Sequence, residues 1–216
     1  GAEGAPAVAG AVDEGVWACG AGTLYRNYFA AVDGQSGQTA NRQINCLKEL
    51  ADALGEKIPM QNGYAFADED SLFRISEKLH NSSSETRNHL RGCLRVGLQA
   101  DTEVTLPHCG HRVHQVYGSA LPVGYSDHDA DLWEPFARLV LEASYEACLK
   151  IALIQDCKKL FLTLLGGGVF GNRIHWITDA IHRAVNLHRN QELQVSIVSY
   201  GSSKPEINAL VTQVNE

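Results

Sequence analysis

Positive charge is scarce in this chain. Its 216 residues carry 18 Lys and Arg against 25 Asp and Glu, a formal net charge of −7. That balance speaks against broad binding to nucleic acid or to an anionic membrane, both of which want a basic surface. No apolar run approaches the ~18 residues needed to span a bilayer. No basic stretch followed by an apolar one marks a secretory leader. The six cysteines, at 19, 46, 93, 109, 148 and 157, include no C-x-x-C pair. Scattered singles read as reduced, mostly buried thiols of a cytoplasmic protein rather than as a disulfide framework. A G-K-[ST] sequence is also missing, which excludes a Walker-type phosphate loop.

What is present suits one large α/β domain. Apolar residues make up 44% of the chain, enough for a sizeable core. An Ala- and Gly-rich opening suggests a flexible segment over residues 1–15, with the domain over 16–216. Val16 to Phe29 reads as a strand plus a loop. Helices are expected over Thr39 to Leu54 with Thr39 as cap, over Ser71 to Leu79, and over Glu85 to Leu98 with Ser84 as cap. Val113 to Val123 reads as a strand. A long helix starts near Leu132 behind an Asp131/Glu134 capping box, with Leu132, Phe136, Leu139, Val140, Ala143, Ala147 and Ile151 on one stripe.

Leu160 to Leu165 is a short continuous apolar run, as in a buried parallel strand. Asn172 is placed to cap the next helix, whose Ile174, Ile177, Ile181 and Val185 face inward. Val195 to Tyr200 reads as another buried strand, and Ser203 with Glu206 opens a last helix. Alternating helix and strand builds a parallel or mostly parallel sheet with helices on both faces. Ligands of such folds bind outside the carboxyl ends of the strands.

Gly166, Gly167, Gly168, Val169, Phe170, Gly171 and Asn172 follow one such strand end. Glycines let the backbone touch a ligand, and several amides beside a helix N-terminus can hold one anion. A tight strand-to-helix turn is the plainer alternative. Gly166, Gly168 and Gly171 also satisfy G-x-G-x-x-G, but late in the chain. The strand ending at Ser199-Tyr200 offers no acidic residue for a ribose, which counts against a dinucleotide oxidoreductase.

The segment Leu160 to Gly171, with the following helix and the Val195 to Gly201 strand, resembles the last third of a macro domain. Upstream, Arg26-Asn27-Tyr28-Phe29 and then Asp33-Gly34-Gln35-Ser36-Gly37-Gln38-Thr39 resemble the other half of that family's site. The usual Asn-Ala-Ala-Asn and triple-Gly wording is missing there. The combination is closer to a divergent branch, represented by a Legionella effector macro domain acting on ADP-ribosylated ubiquitin and by eukaryotic relatives.

The resemblance implies a three-layer α/β/α sandwich with a mixed, mostly parallel sheet. It implies ADP-ribose as ligand or product, with no separate cofactor. The expected function is ADP-ribosyl hydrolysis on modified protein side chains, with arginine-linked ADP-ribose on ubiquitin as a coherent substrate. A non-catalytic ADP-ribose reader, a Rossmann-type NAD enzyme and a pure interaction module are the alternatives.

Hydrolysis at the distal ribose passes through an oxocarbenium-like state helped by a carboxylate. Asp33 is the first candidate, with Asp127 and Asp129 of the Asp127-His128-Asp129-Ala130-Asp131 cluster behind it. The binding candidates on the first segment are Asn27, Tyr28, Gln38, Thr39, Asn41 and Asn45. Phe170 is placed to stack on the distal ribose and Tyr200 to face adenine, with core packing as the alternative for each. His108-Cys109-Gly110-His111-Arg112-Val113-His114 has the look of a metal site. His111 and His114, however, would face opposite sides of a strand, and no distant partner pair exists, so no metal is expected.

Overall fold

The computed structural model describes residues 20–61, 63–104, 106–199 and 201–216. The proposed flexible segment over 1–15, Cys19 and Tyr200 lie outside them. The fold is a mixture of α and β, with the core organised around one long helix.

The chain opens with a short helix, α1 (Gly20–Leu24), which runs into a π-helical turn over Tyr25–Phe29 closed by Ala30 N donating to Tyr25 O. A strand plus a loop was expected over Val16 to Phe29; the described part, residues 20–29, is helical instead, although Tyr25, Tyr28 and Phe29 are residue types that suit strands. A hairpin follows, β1 (Ala31–Val32) and β2 (Gln35–Ser36), turned by Asp33 at φ 45 and Gly34 at φ 81. Asp-Gly with both residues at positive φ is the pairing that a two-residue hairpin turn demands.

Helix α2 covers Lys48–Leu54 only. The expected start at Thr39 is overruled by side chains that compete for the backbone. Gln38 Oε1 accepts from Ile44 N, Asn45 Oδ1 accepts from Leu47 N, and Thr39 bridges to Arg42. A small hairpin, β3 (Met60–Gln61) and β4 (Tyr64–Ala65), leads to helix α3 (Glu69–His80), capped by Asp68 through Ser71 N. Helix α4 spans Ser84–Gly92. Its cap is Ser83, one residue before the expected one, because the Ser83 hydroxyl accepts from Thr86 N at 3.1 Å. The chain leaves the helix at Gly92 and becomes strand β5 (Gly97–Glu103), antiparallel to β6 (Arg112–Tyr117). Expectation had carried the helix to Leu98 and the second strand to Val123.

Helix α5, Ala130–Ile154, is the centre of the core. Trp133, Phe136, Leu141 and Leu149 are at most 1% exposed, and Ala137, Val140 and Tyr145 are buried with them. A helix apolar nearly all round must be covered nearly all round. It packs on α3, α4 and on α6 (Ile174–Leu187), whose Trp176 and Ile177 are fully buried. The cap of α5 is Asp129, which accepts from Asp131 N, rather than the Asp131/Glu134 box.

Strands β7 (Lys159–Thr163) and β8 (Gln194–Val198) pair in parallel across α6, with Lys159 opposite Gln194 and Thr163 opposite Val198. This β-α-β unit agrees with the expected order of elements. It is the one parallel pair among the described residues, where the other three pairings are short antiparallel hairpins. Helix α7 (Pro205–Asn215) closes the chain. Pro205 opens it at the position proline favours, and Ser203 spends its hydroxyl on Asn208 Oδ1 instead of a capping box. No described helix is long and apolar enough to cross a membrane.

Candidate functional site

The glycine loop runs from the carboxyl end of β7 to the start of α6 and is pinned at both ends. At its start, the buried Tyr145 hydroxyl donates to Thr163 O at 2.8 Å and accepts from Leu165 N at 2.9 Å. Burial pushes that phenol's pKa up, so the hydroxyl stays protonated and able to do both. At its end, Asn172 is 4% exposed and turns its amide inward, donating to Leu121 O and Phe170 O. Asn172 was expected to cap α6. It clamps the loop to the Leu121 segment instead, and the cap position falls to Arg173, which makes no side-chain cap bond.

The four glycines divide into two kinds. Gly166 has φ 75, and a β-carbon there would run into Ala120 and Asn172. Gly171 has φ 68, and its β-carbon would come within 2.9 Å of Gly124 N. These two glycines are required by left-handed backbone and by close packing. Gly168 is different: it is exposed, has no positive φ, and a β-carbon there would meet nothing within 4 Å. The amides of Gly168, Val169 and Phe170 donate to no group among the described residues. The uncapped first turn of α6 follows directly. Three successive amides with no partner among the described residues, beside a helix N-terminus, are donors that an anion could take up.

The loop is clasped by the segment between β6 and α5. Gly124 N donates to Phe170 O at 2.8 Å. Phe170, 4% exposed, forms an aromatic trio with Tyr64 and Tyr125, with ring centroids 5.4 to 5.7 Å apart. Its ring packs with these two, in keeping with the core-packing alternative given for it. Arg173 carries the nearest cation in sequence to the loop. Its guanidinium lies 5.2 Å from the Trp176 ring centroid and pairs with Asp131 at 2.5 Å and Glu134 at 3.8 Å.

A cavity of about 760 Å³ opens beside this clasp. Its wall includes Gly118–Pro122, the stretch touched from the other side by Gly166 and Asn172, and residues of β5, α5 and the first segment. Residues 166–172 do not line it. The volume falls in the range of small-molecule sites, and the lining is mostly apolar, as such sites are.

The first-segment candidates are only partly gathered there. Gln38 lines the cavity, donates to Asn27 Oδ1 at 2.9 Å and accepts from Ile44 N. Arg26 and Ile44 line it as well. Tyr28 is 59% exposed and Asn41 is exposed, neither at the cavity. Thr39 Oγ1 accepts from Gln35 Nε2, and Asn45 caps its own turn through Leu47 N. Those last two side chains are spent on local structure.

Among the described residues no hydrogen bond or ion pair joins the three carboxylates to one another or to the glycine loop. Asp33 is an exposed turn residue, and no hydrogen bond or ion pair ties it to the glycine loop among the described residues. Asp129 is committed to its cap. Asp127 stands exposed just past the Val123–Tyr125 turn that clasps the loop, with no hydrogen bond of its own among the described residues. Burial pushes the Cys46 thiol up and Cys148 to about 11, so neither is an activated nucleophile. The five described cysteines are free thiols. Among the described residues no group of three or more His, Cys, Asp or Glu side chains stands ready for a metal ion. His114 instead accepts from Asp101 N within the β5–β6 hairpin.

Sequence reasoning missed the Gly118–Tyr125 segment and Ser144. Pro122 and Gly124 were the available signals, since both argue against a strand continuing to residue 123. Compared with family models and with curated proteins, the chain matches none.

Proposed function

We propose that this protein binds ADP-ribose, with the diphosphate on the amides of Gly168, Val169 and Phe170, and that it removes ADP-ribose from modified protein side chains. The observation that carries the reading is that row of three unpaired amides, at a strand's carboxyl end and a helix N-terminus. In a chain of net charge −7, backbone donors and a helix dipole take the place of a lysine field. The neighbouring cavity supplies room for the nucleoside parts. A macro-type three-layer sandwich is the architecture that goes with this reading, and the β7–α6–β8 unit is the part of it that supports the resemblance.

Asp127 is the carboxylate best situated for hydrolysis. It flanks the segment clasped to the loop, and among the described residues no partner competes for it. It would position water or steady the oxocarbenium charge at the distal ribose. Asp33 and Asp129 have structural duties that account for them. Arginine-linked ADP-ribose on ubiquitin is the substrate to try first, since a carboxylate can also pair with the guanidinium of the scissile side chain. A non-catalytic reader is the second reading, favoured by the absence, among the described residues, of any bond that ties a candidate carboxylate to the loop.

The test is calorimetric titration with ADP-ribose, AMP and NAD, followed by turnover of arginine-ADP-ribosylated ubiquitin. Tighter binding of ADP-ribose than of the other two is expected. A preference for NAD, or no binding, would remove the reading. Binding without turnover on any ADP-ribosylated protein would leave the reader.

A further inference from the structure

We infer that the recess between Gly118 and Ser144 seats the nucleobase of the bound nucleotide, with the Ser144 hydroxyl as its hydrogen-bonding partner. The inference rests on the ADP-ribose reading above and adds which part of the ligand enters the cavity and which residue meets it.

Ser144 lies on α5, is 2% exposed and lines the cavity. Among the described residues its hydroxyl has no hydrogen-bond partner. A buried helical serine ordinarily returns its proton to the carbonyl four residues back, here that of Val140, and this one does not. Buried hydroxyls without partners are rare enough that each calls for a group to complete it. Three other polar side chains around the cavity are engaged elsewhere. Gln38 is held by Asn27 and Ile44, Gln99 accepts from Tyr117, and Arg95 is paired with Glu49.

Gly118 stands over that hydroxyl. A β-carbon at 118 would lie 3.8 Å from Ser144 Oγ and 3.8 Å from Val96 Cγ1, in ordinary contact, and the residue has no positive φ. Neither backbone conformation nor a clash therefore requires glycine here. What its missing side chain provides is open space above Ser144.

The walls decide what fills that space. Leu47, Leu94, Leu121 and Val140 supply aliphatic surface, and Tyr64 and Tyr117 supply aromatic surface. A ribose would strand several hydroxyls against such walls. A nucleobase has two apolar faces and a polar edge, which matches apolar walls with one hydroxyl at the floor.

The experiment titrates AMP and ADP-ribose calorimetrically into the full chain, into Ser144→Ala and into Gly118→Val, with thermal midpoints of the unliganded proteins recorded alongside. AMP should bind the parent protein, more weakly than ADP-ribose. Ser144→Ala should lose five- to tenfold in affinity for both nucleotides while its unliganded midpoint holds or rises, because an unpaired buried hydroxyl has been removed. A merely structural serine would lower the midpoint instead. Gly118→Val should abolish AMP binding. If Gly118→Val fails to fold, Ser144→Ala alone decides. ADP-ribose binding without AMP binding in the parent protein, or AMP affinity unchanged in Ser144→Ala, overturns the base seat and leaves the ADP-ribose reading standing. Binding of neither nucleotide overturns both.

Discussion

Replacing Gly168 by glutamate separates ligand binding from folding. The position is exposed, its backbone does not need glycine, and a β-carbon there meets nothing within 4 Å. The substitution should therefore leave stability within about 0.5 kcal/mol, as is usual for surface positions. A carboxylate would now stand beside the amides of Gly168, Val169 and Phe170. Two like charges about 4 Å apart repel by about 4 kcal/mol at an effective dielectric constant of ~20. Solvent and salt reach this exposed loop, so on the order of 2 kcal/mol should survive, which is roughly a 30-fold rise in Kd. Calorimetric titration with ADP-ribose measures it. Gly168→Ala controls for bulk and Gly168→Lys for sign, with affinity expected to hold in the first and to hold or rise in the second. An unchanged Kd in a folded Gly168→Glu protein would refute the phosphate cradle. Equal losses in the glutamate and lysine variants would show that bulk, not charge, had been felt.

The loop's supports should behave differently from its ligand-facing centre. Gly166→Ala forces a side chain into φ 75 and against Ala120 and Asn172. It should cost roughly 2–4 kcal/mol, from left-handed strain and overpacking together, read from urea unfolding; a loss below 1 kcal/mol would mean the loop relaxes freely. Tyr145→Phe strips the partner from Leu165 N and from Thr163 O. It should cost about 1–3 kcal/mol and lower the unfolding midpoint, and a neutral result would mean water replaces the hydroxyl. Asp127→Ala should keep ADP-ribose affinity and lose turnover on arginine-ADP-ribosylated ubiquitin. Turnover that survives there but fails in Asp33→Ala would return the catalytic role to the hairpin turn.

The elements that were legible in the sequence are those whose side-chain period is set by local burial. The stripe of Phe136, Leu139, Val140 and Ala143 announces α5; the run from Leu160 to Leu165 announces β7, although only Leu162 of that strand is buried and Phe161 is exposed. The misreadings share a different cause. At Thr39 the helical pattern was sound, but Gln38 and Asn45 spend their side chains on backbone amides that a helix would have used. The strand expected over Val113 to Val123 ends at Tyr117, and beyond it Ala120, Leu121 and Val123 are buried beside a distant loop. At Asn172 the residue type suited a cap, and the amide went instead to a carbonyl 51 positions away. Bonds of that span cannot be read from spacing, because the pairing exists only once α5 has brought both segments together.

The glycine loop shows how far motif reading reaches. G-G-G-V-F-G carries the expectation of a ligand as one motif, with a tight turn as the plainer alternative. The geometry assigns its glycines separately. Gly166 and Gly171 are consumed by packing against Ala120, Asn172 and Gly124, so a turn of this kind accounts for two of the four. Gly167 comes within 3.1 Å of Ile177 through its absent β-carbon and is partly accounted for in the same way. Gly168 alone has no structural reason to be glycine. The functional content of the motif therefore rests on one position and three amides. Substitutions at 166 and 171 would lower binding whether or not the loop touches a ligand, since they unmake the loop. A change at 168 lowers it only if a ligand is there to be repelled.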